Sequence, residues 1–456
     1  MERECIHEGE TLKNIFFHHR RWFHDIVDNR YLFIMSNYKP VISLLLLFCP
    51  LFFCSTKSDQ KKNNPISIRD FNVLPENDAE TNKVNLQKAI DWASERGAAL
   101  FVEPSETAYP VEGGIVLKKN VSLIGVHGPT PRGTINPHQR GKPVGSVFSI
   151  RDKKEVFITV ESATQIKGIQ FWYPEQTISD PTKIIPYPAT IQTSKTGSTQ
   201  GVYLSCLTFY GEYLAMDFNC DPSYVCELMT FEHCYGYPLS GEFIRIDYCY
   251  DIPRLLHCHV NPAIQRFIGG QYAPAVVDAV IAKRSFAYAI NHTDNAQMID
   301  IFTFGTYGGI MLGGDSYGQL TNFNLDCVAV GIHKKGNNKF NRNWQIAQGS
   351  IIANTGEEVE NIHPVIIEGE GHTSLTNVEA FSGPNPALTT VRENQSWDFM
   401  LLRGDKGSTV SLFGCRMRNY LSDNPVTVVN KKAIVSAYGC IDKNEKLVTI
   451  EMRGIE

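Results

Sequence analysis

The chain has no Cys-x-x-Cys pair among its 12 cysteines, no excess of basic charge, and no apolar run of the ~20 residues that a membrane-spanning helix requires. Each absence removes a class. Without paired metal spacing, zinc-ribbon and finger architectures are excluded, and no metal or other cofactor is expected. With 43 Lys and Arg against 48 Asp and Glu, the formal net charge is −5, which argues against nucleic acid as a partner. Cys226, Cys258, Cys415 and Cys440 fall on apolar positions of the repeat described below, so the cysteines read as buried thiols rather than as a disulfide framework.

What the chain does have is a hexad, apolar-x-x-apolar-x-apolar, recurring along most of its 456 residues. It reads VSLIGV from Val121, IKGIQF from Ile166, LSCLTF from Leu204, CELMTF from Cys226, LLHCHV from Leu255 and IDIFTF from Ile299. It continues as LTNFNL from Leu320, IAQGSI from Ile346, LTNVEA from Leu375, VSLFGC from Val410 and VSAYGC from Val435. The fifth position is never a large apolar residue, whereas the fourth and sixth are nearly all apolar or small, which is the alternation of a half-buried strand. Several neighbouring copies start 21 to 29 residues apart. A strand-and-turn unit repeated at that period predicts a parallel β-helix whose coils stack about 4.8 Å apart, with the sixth-position residues Phe171, Phe209, Phe231, Phe304 and Leu325 forming an inward ladder.

The N-terminal third divides differently. Residues 1–34 are polar and lie upstream of the expected true start at Met35; residues 35–54 read as an export signal, with a basic lead, an apolar run from Val41 to Phe53 and then Cys54. That cysteine resembles the lipidated residue of a bacterial lipoprotein signal, although Phe53 stands where a small residue is usual. Residues 55–66 form a polar tether, and residues 67–456 the β-helix domain. The expected location is outside the cytoplasm, in a bacterial cell envelope, either secreted or held at the membrane only by a lipid anchor.

Within 67–111 one amphipathic helix is expected over Glu80 to Glu95, with Val84, Leu86, Ile90 and Ala93 on its apolar stripe and Gly97 at its stop. Asp70-Phe71, Asp78, Leu86-Gln87-Lys88-Ala89-Ile90, the strand Phe101 to Pro104 and Tyr109 follow one another here, and this stretch resembles the N-terminal segment of the pectate lyase superfamily. Asn72 replaces the family's glycine at a place where a left-handed residue is needed. The resemblance implies an all-β, right-handed parallel β-helix with an N-terminal capping helix, and a polysaccharide or oligosaccharide as partner. Of the polygalacturonase-like motifs in that superfamily, His292-Thr293-Asp294-Asn295, Asp315 and Gly371-His372 are echoes, while the adjacent Asp pair and the Arg-x-Lys are missing.

Candidate chemistry comes from the turns. Asp221, Asp294, Asp315, Asn341, Glu370, Asp405 and Asn430 precede their hexads by five residues, and Asp251 precedes Leu255 by four. Stacked turns set such groups about 5 Å apart on adjacent coils and about 10 Å apart on alternate ones, which brackets the carboxylate separations of retaining and inverting glycosidases. Asp and Asn are also ordinary turn formers. Asp251, Asp294 and Asp315 are the selected catalytic candidates, because they flank an excursion, Asn261 to Ile290, that interrupts the rhythm. Lys283 and Arg284 in that excursion, with His292, Tyr250 and Tyr307, are the expected substrate contacts; Arg266 and Tyr272 add a cation and an aromatic face nearby. His233, His257 and His259 read as outward polar surface. Three functions follow: a glycoside hydrolase using paired carboxylates, a lyase acting on a uronate-containing glycan, and a non-catalytic glycan-binding protein.

Overall fold

Each coil turns a corner on a single left-handed residue. The computed structural model describes residues 65–126, 143–264, 273–336, 343–354, 362–382 and 395–453; the export signal with Cys54, Arg266, Tyr272 and Asn341 lie outside them. From Ile166 onward the third residue of each hexad, read in structural register, has φ between 50° and 70°: Gly168, Cys206, His233, His257, Asp300, Asn322, Gln348, Asn377, Gly414 and Gly439. One residue in that conformation bends the strand without a loop, so the apolar residues on both sides stay inward.

A circuit of one coil runs through strand Ala296–Ile299, left-handed Asp300, strand Phe302–Phe304, turn 305–307, strand Gly308–Leu312 and turn 313–317. The chain then enters Gly318–Val328, the next coil. Met298 pairs in parallel with Leu320, Phe302 with Asn324, and Ile310 with Ile332. Stacking such circuits produces a 19-stranded sheet that includes both limbs of each corner, an 11-stranded parallel sheet, and a small sheet of three short strands. The expected parallel β-helix is therefore present.

Pairing corrects the register of several hexads. Leu204 pairs with Phe231 and not with Cys226, which sits in the three-stranded sheet. The unit around Ile299 starts at Met298, and those around Val121, Val410 and Val435 start at Leu123, Leu412 and Ala437. First-position residues from Leu123 and Ile166 through Leu320 to Ala437 are at most 2 % exposed. The sixth-position ladder holds Phe171, Phe209 and Leu325 as expected, whereas Phe231 is a first-position residue and Phe304 belongs to a separate cluster with Phe302 and Cys327. Apolar spacing alone admits a shift of one or two residues; the left-handed corner removes that freedom. Cys226, Cys258, Cys415 and Cys440 are all buried.

The N-terminal helix, α1, spans Ala79–Ser94 with Asp78 as its cap, the carboxylate accepting the Thr81 N–H. Leu86, Ile90 and Ala93 face the core, but Val84 is 43 % exposed, its place on the buried face taken by Asn82 and Ala89. Asn82 is retained there because its amide group donates to the Leu74 and Pro110 carbonyls and accepts the Leu74 N–H. Asn72 is left-handed, φ 60°, as expected. The excursion contains α2, Pro274–Ile281, whose Val276, Val277 and Val280 are buried in the main core. It connects strand His259–Val260 to strand Phe286–Ile290 within one coil, so it is an insertion and not an unrecognised repeat.

One buried charge makes stability depend on pH. Lys334 is 4 % exposed, and its ammonium donates to the Glu370 carbonyl. Burial holds its pKa down at about 8. The unfolded chain keeps that proton to about pH 10.4, so between roughly pH 8 and 10 the unfolded state binds more protons and stability rises with pH, by about 2–3 kcal/mol in all. Wild type should therefore gain melting temperature relative to Lys334→Met as pH is raised from about 7.5 to about 9.5; parallel curves would show that Lys334 does not titrate there.

Candidate functional site

At the end of each strand of the 11-stranded sheet the chain turns toward the large sheet, and three successive turns converge. Strand Ile244–Asp247 alternates, with Ile244 and Ile246 buried, which turns Arg245 and Asp247 outward. After it come left-handed Tyr248 and the short strand Cys249–Tyr250. In the next coil, Asn291 to Asn295 fills the equivalent turn, anchored by a bridge from Cys249 to Thr293 and by the Asp294 N–H donating to the Cys249 carbonyl at 3.2 Å. That register sets Asp294 beside Tyr250. The third turn carries Gly313, Gly314, Asp315, Ser316 and Tyr317, with the Ala296 N–H bonded to the Tyr317 carbonyl.

The side chains meet there. His292 Nδ1 lies 2.7 Å from Asp247 Oδ1, and its ring stacks on Tyr248 with centroids 4.4 Å apart and planes 5° from parallel. Gly314, φ 54°, brings the third turn so close that a Cβ on it would sit 2.9 Å from the His292 ring. The Tyr317 hydroxyl donates to the Asp294 carboxylate. Tyr250 is half-buried; burial pushes its phenol above the ordinary range, and the charges of Asp247, Asp315 and Asp294 together with neighbouring Tyr248 push the same way. Tyr250 thus keeps its phenolic proton, and the three carboxylates whose charges reach it come from three consecutive coils.

Of the sequence-selected residues, Asp294, Asp315, His292 and Tyr250 are brought together. Asp251 lies at the rim, exposed, in a left-handed turn with Ile252. Lys283, Arg284 and Tyr307 are elsewhere: they precede the strands that His292 and Asp315 follow, and a five-residue strand spans roughly 16 Å. There the Lys283 ammonium sits 5.5 Å over the Tyr213 ring, while Tyr307 packs edge-on against Phe286 and has its phenol pushed up by burial, against the pull of Arg284 and Arg403. Among the described residues of the excursion, Lys283 and Arg284 stand at the opposite end of strand Phe286–Ile290 from the aspartates. Other turn residues act as turn formers: Asp221 accepts the Ser223 N–H at 2.6 Å, and Asn430 the Lys432 N–H at 2.9 Å.

Asp247 and Tyr317 escaped the sequence reading. The available signal was the alternation in Ile244-Arg245-Ile246-Asp247, which marks Asp247 as outward. From Asp247 an outward ladder crosses the coils through Asn291, Gly313, Lys335, Glu368 and Arg403, set by the pairs Ile246–Ile290, Ile290–Leu312, Leu312–Lys334, Lys335–Glu368 and Glu368–Arg403. Glu368 contacts His333 at 3.0 Å and Arg403 at 3.2 Å. Burial lowers the His333 pKa, opposed by its Glu368 partner. The three histidines of the outer large sheet are polar surface: His233 stacks on His257 at 4.6 Å and His259 on Phe302 at 4.2 Å. Among the described residues no group of three or more His, Cys, Asp or Glu is arranged to hold a metal ion.

No family sequence profile matches the chain, and no curated protein matches it in sequence. Solved structures do match. The A-module of the Azotobacter vinelandii mannuronan C-5 epimerase AlgE6 aligns at TM-score 0.50 and 10% identity, covering 83% of this chain and 99% of that one. The tailspike protein of E. coli bacteriophage HK620, solved with a pentasaccharide, aligns at TM-score 0.51 and 10% identity, covering 83% of this chain and 66% of that one. The fold is the right-handed parallel β-helix. At such identity the likeness establishes architecture alone, and chemistry has to come from the side chains.

Proposed function

We propose that this protein is a carbohydrate-active β-helix enzyme that cleaves glycosidic bonds in a polysaccharide with carboxylates of the turn cluster. One observation carries the reading: the turns bearing Asp247, Asp294 and Asp315 stack on three consecutive coils, near enough to the partly buried Tyr250 for all three charges to raise its pKa. Glycoside cleavage needs one carboxylic acid to protonate the leaving oxygen and one carboxylate to act as base or nucleophile, and coil spacings of about 5 and 10 Å bracket both stereochemical outcomes. Asp294 takes the carboxylate role, because the Tyr317 phenol donates to it and stabilises the anion. Asp315 is assigned as the acid. Asp247 orients His292, and the ladder toward Lys335 and Arg403 supplies hydrogen-bond donors along the chain of sugars. The neighbours in structure include an epimerase acting on mannuronan and a tailspike holding a pentasaccharide, which supports a glycan as the substrate class.

A second reading has its own observation. His292, paired with Asp247 and stacked on Tyr248, has the form of a general base for proton abstraction from a uronate, the first step shared by lyases and C-5 epimerases. Incubation with a panel of neutral and uronate-containing glycans separates the outcomes. New reducing ends without unsaturated-uronate absorbance support hydrolysis; that absorbance, or an altered uronate configuration by NMR, supports the second reading. Binding without any chemical change in the glycan would leave only a binding protein and remove both.

A polysaccharide substrate supports a location outside the cytoplasm, reached through the export signal expected at 35–54, with the protein either secreted or anchored by a lipid on Cys54. In a bacterial host Cys54→Ser should shift the protein from the detergent phase to the aqueous phase; equal partitioning of the two forms would exclude the anchor.

A further inference from the structure

We infer that the outer face of the large sheet carries a second glycan site, independent of the turn cluster, which takes an uncharged oligosaccharide lying along the solenoid axis. A cleft of about 410 Å³ opens at the left-handed corner, lined by residues of four successive coils. It starts six residues along the strand from Ser316, roughly 20 Å from the carboxylates.

The cleft exists because the outward ladder changes character. At the fifth position the ladder begins with Gln170 and Thr208, and the three coils before the cleft present rings: Tyr235, then His259 stacked on Phe302 at 4.2 Å. The next two coils present Asn324 and Ser350, short groups that leave the space above them open. A left-handed corner favours Asn for backbone reasons, which accounts for Asn322 and Asn377 on their own. Nothing in that geometry requires short polar residues at the fifth position as well, and the ladder's earlier rings show that bulk is tolerated there. Under the cleft, on the inward side of the strand, the buried Phe323 ring occupies the space where a Gly349 Cβ would be, 2.2 Å away, which fixes the two coils against each other.

The lining identifies the ligand class. Both carboxylates are at the ends and already have cationic or ring partners: Asp300 lies 2.8 Å from His257 Nδ1, and Glu379 2.8 Å from the Arg418 guanidinium. Between them stand Asn322, Asn324, Gln348, Ser350 and Asn377, amides and a hydroxyl that both donate and accept and carry no charge. These repeat at the coil spacing of about 4.8 Å, comparable with the advance of one pyranose along an extended glycan. Phe302 closes one end with a face on which the C–H surface of a sugar can stack. A uronate would find no free cation in this lining, whereas a polyol finds alternating donors and acceptors.

The test is calorimetric titration of the full chain with cellohexaose and mannohexaose as uncharged probes and hexagalacturonate as the charged one. The variants are Ser350→Trp, which fills the cleft, Asn324→Ala, which removes one amide without touching a left-handed residue, and Asp294→Asn. At least one uncharged hexasaccharide should bind, tenfold or more weakly to Ser350→Trp and several-fold more weakly to Asn324→Ala, with unchanged affinity in Asp294→Asn. Binding that survives Ser350→Trp and Asn324→Ala, binding lost in Asp294→Asn, stronger binding of hexagalacturonate, or no binding of either uncharged probe up to roughly 5 mM would each overturn the site. Because Asp294→Asn is the arm that reports on the turn cluster, loss of enzymatic function and loss of this site are read separately.

Discussion

Replacing Asp294 by Asn leaves the protein folded and lowers its rate on a glycan it cleaves by about 10²–10⁴-fold. The substitution keeps the shape of the side chain and every backbone contact of the turn, including the Asp294 N–H bond to the Cys249 carbonyl. It removes only the charge and the capacity to take up a proton. Two companions grade the effect. Tyr317→Phe keeps the carboxylate but deletes its phenolic donor, and a lost hydrogen bond to a charged group is worth roughly tenfold in kcat/KM. Asp251→Asn, at the exposed rim, should leave the rate within about twofold, since surface groups away from the reacting atoms contribute little. Melting temperatures matched to wild type, measured beside the kinetics, show that chemistry and not folding has changed. Full activity in Asp294→Asn would return this residue to the role of a turn former.

The difference between Asp294 and Asp251 shows what the sequence made legible. Turn aspartates at constant spacing before a hexad were visible because the turn between the two sheets has nearly constant length, and that regularity is what brings Asp294 and Asp315 together. In structural register Asp251 and Asp294 both stand four residues before their hexads, at Leu255 and Met298; what sets Asp251 apart is one extra residue in its turn and two consecutive left-handed positions. Asp247 was hidden for another reason. It ends a strand of the 11-stranded sheet, whose strands run from three to seven residues, too short and too variable for a repeat to stand out. Lys283, Arg284 and Tyr307 were drawn to the site by closeness in sequence, but a strand separates them from it, and a few residues of strand are a long distance in space. The corner residue was invisible as a pattern. It is filled by Gly, Cys, His, Asp, Asn and Gln, chosen for tolerance of positive φ or held there by the stack, so it has no single letter to count.

Phe209→Ala tests the fold at its centre, with an expected loss of about 3–5 kcal/mol. Phe209 is fully buried, stacks on Phe171 of the preceding coil with centroids 5.1 Å apart and meets Phe243 edge-on at 5.7 Å. Truncation removes apolar surface that folding had taken from water and leaves a cavity its neighbours cannot fill, since Phe171 lies in a strand paired on both sides and the Phe243 backbone is bonded to the coils before and after it. In a stacked solenoid each coil is stabilised chiefly by its neighbours, so the loss weakens the interfaces above and below alike, and the unfolding midpoint in urea should fall sharply. Phe413 is the control. It also stacks on a ring, Tyr438 at 5.7 Å, but it is 42 % exposed on the outward side of its strand. Its truncation gives up one surface contact and creates no cavity, so Phe413→Ala should cost less than about 1 kcal/mol. Equal midpoints for the two variants would mean that ring stacking along the coils, and not burial inside them, holds the solenoid together.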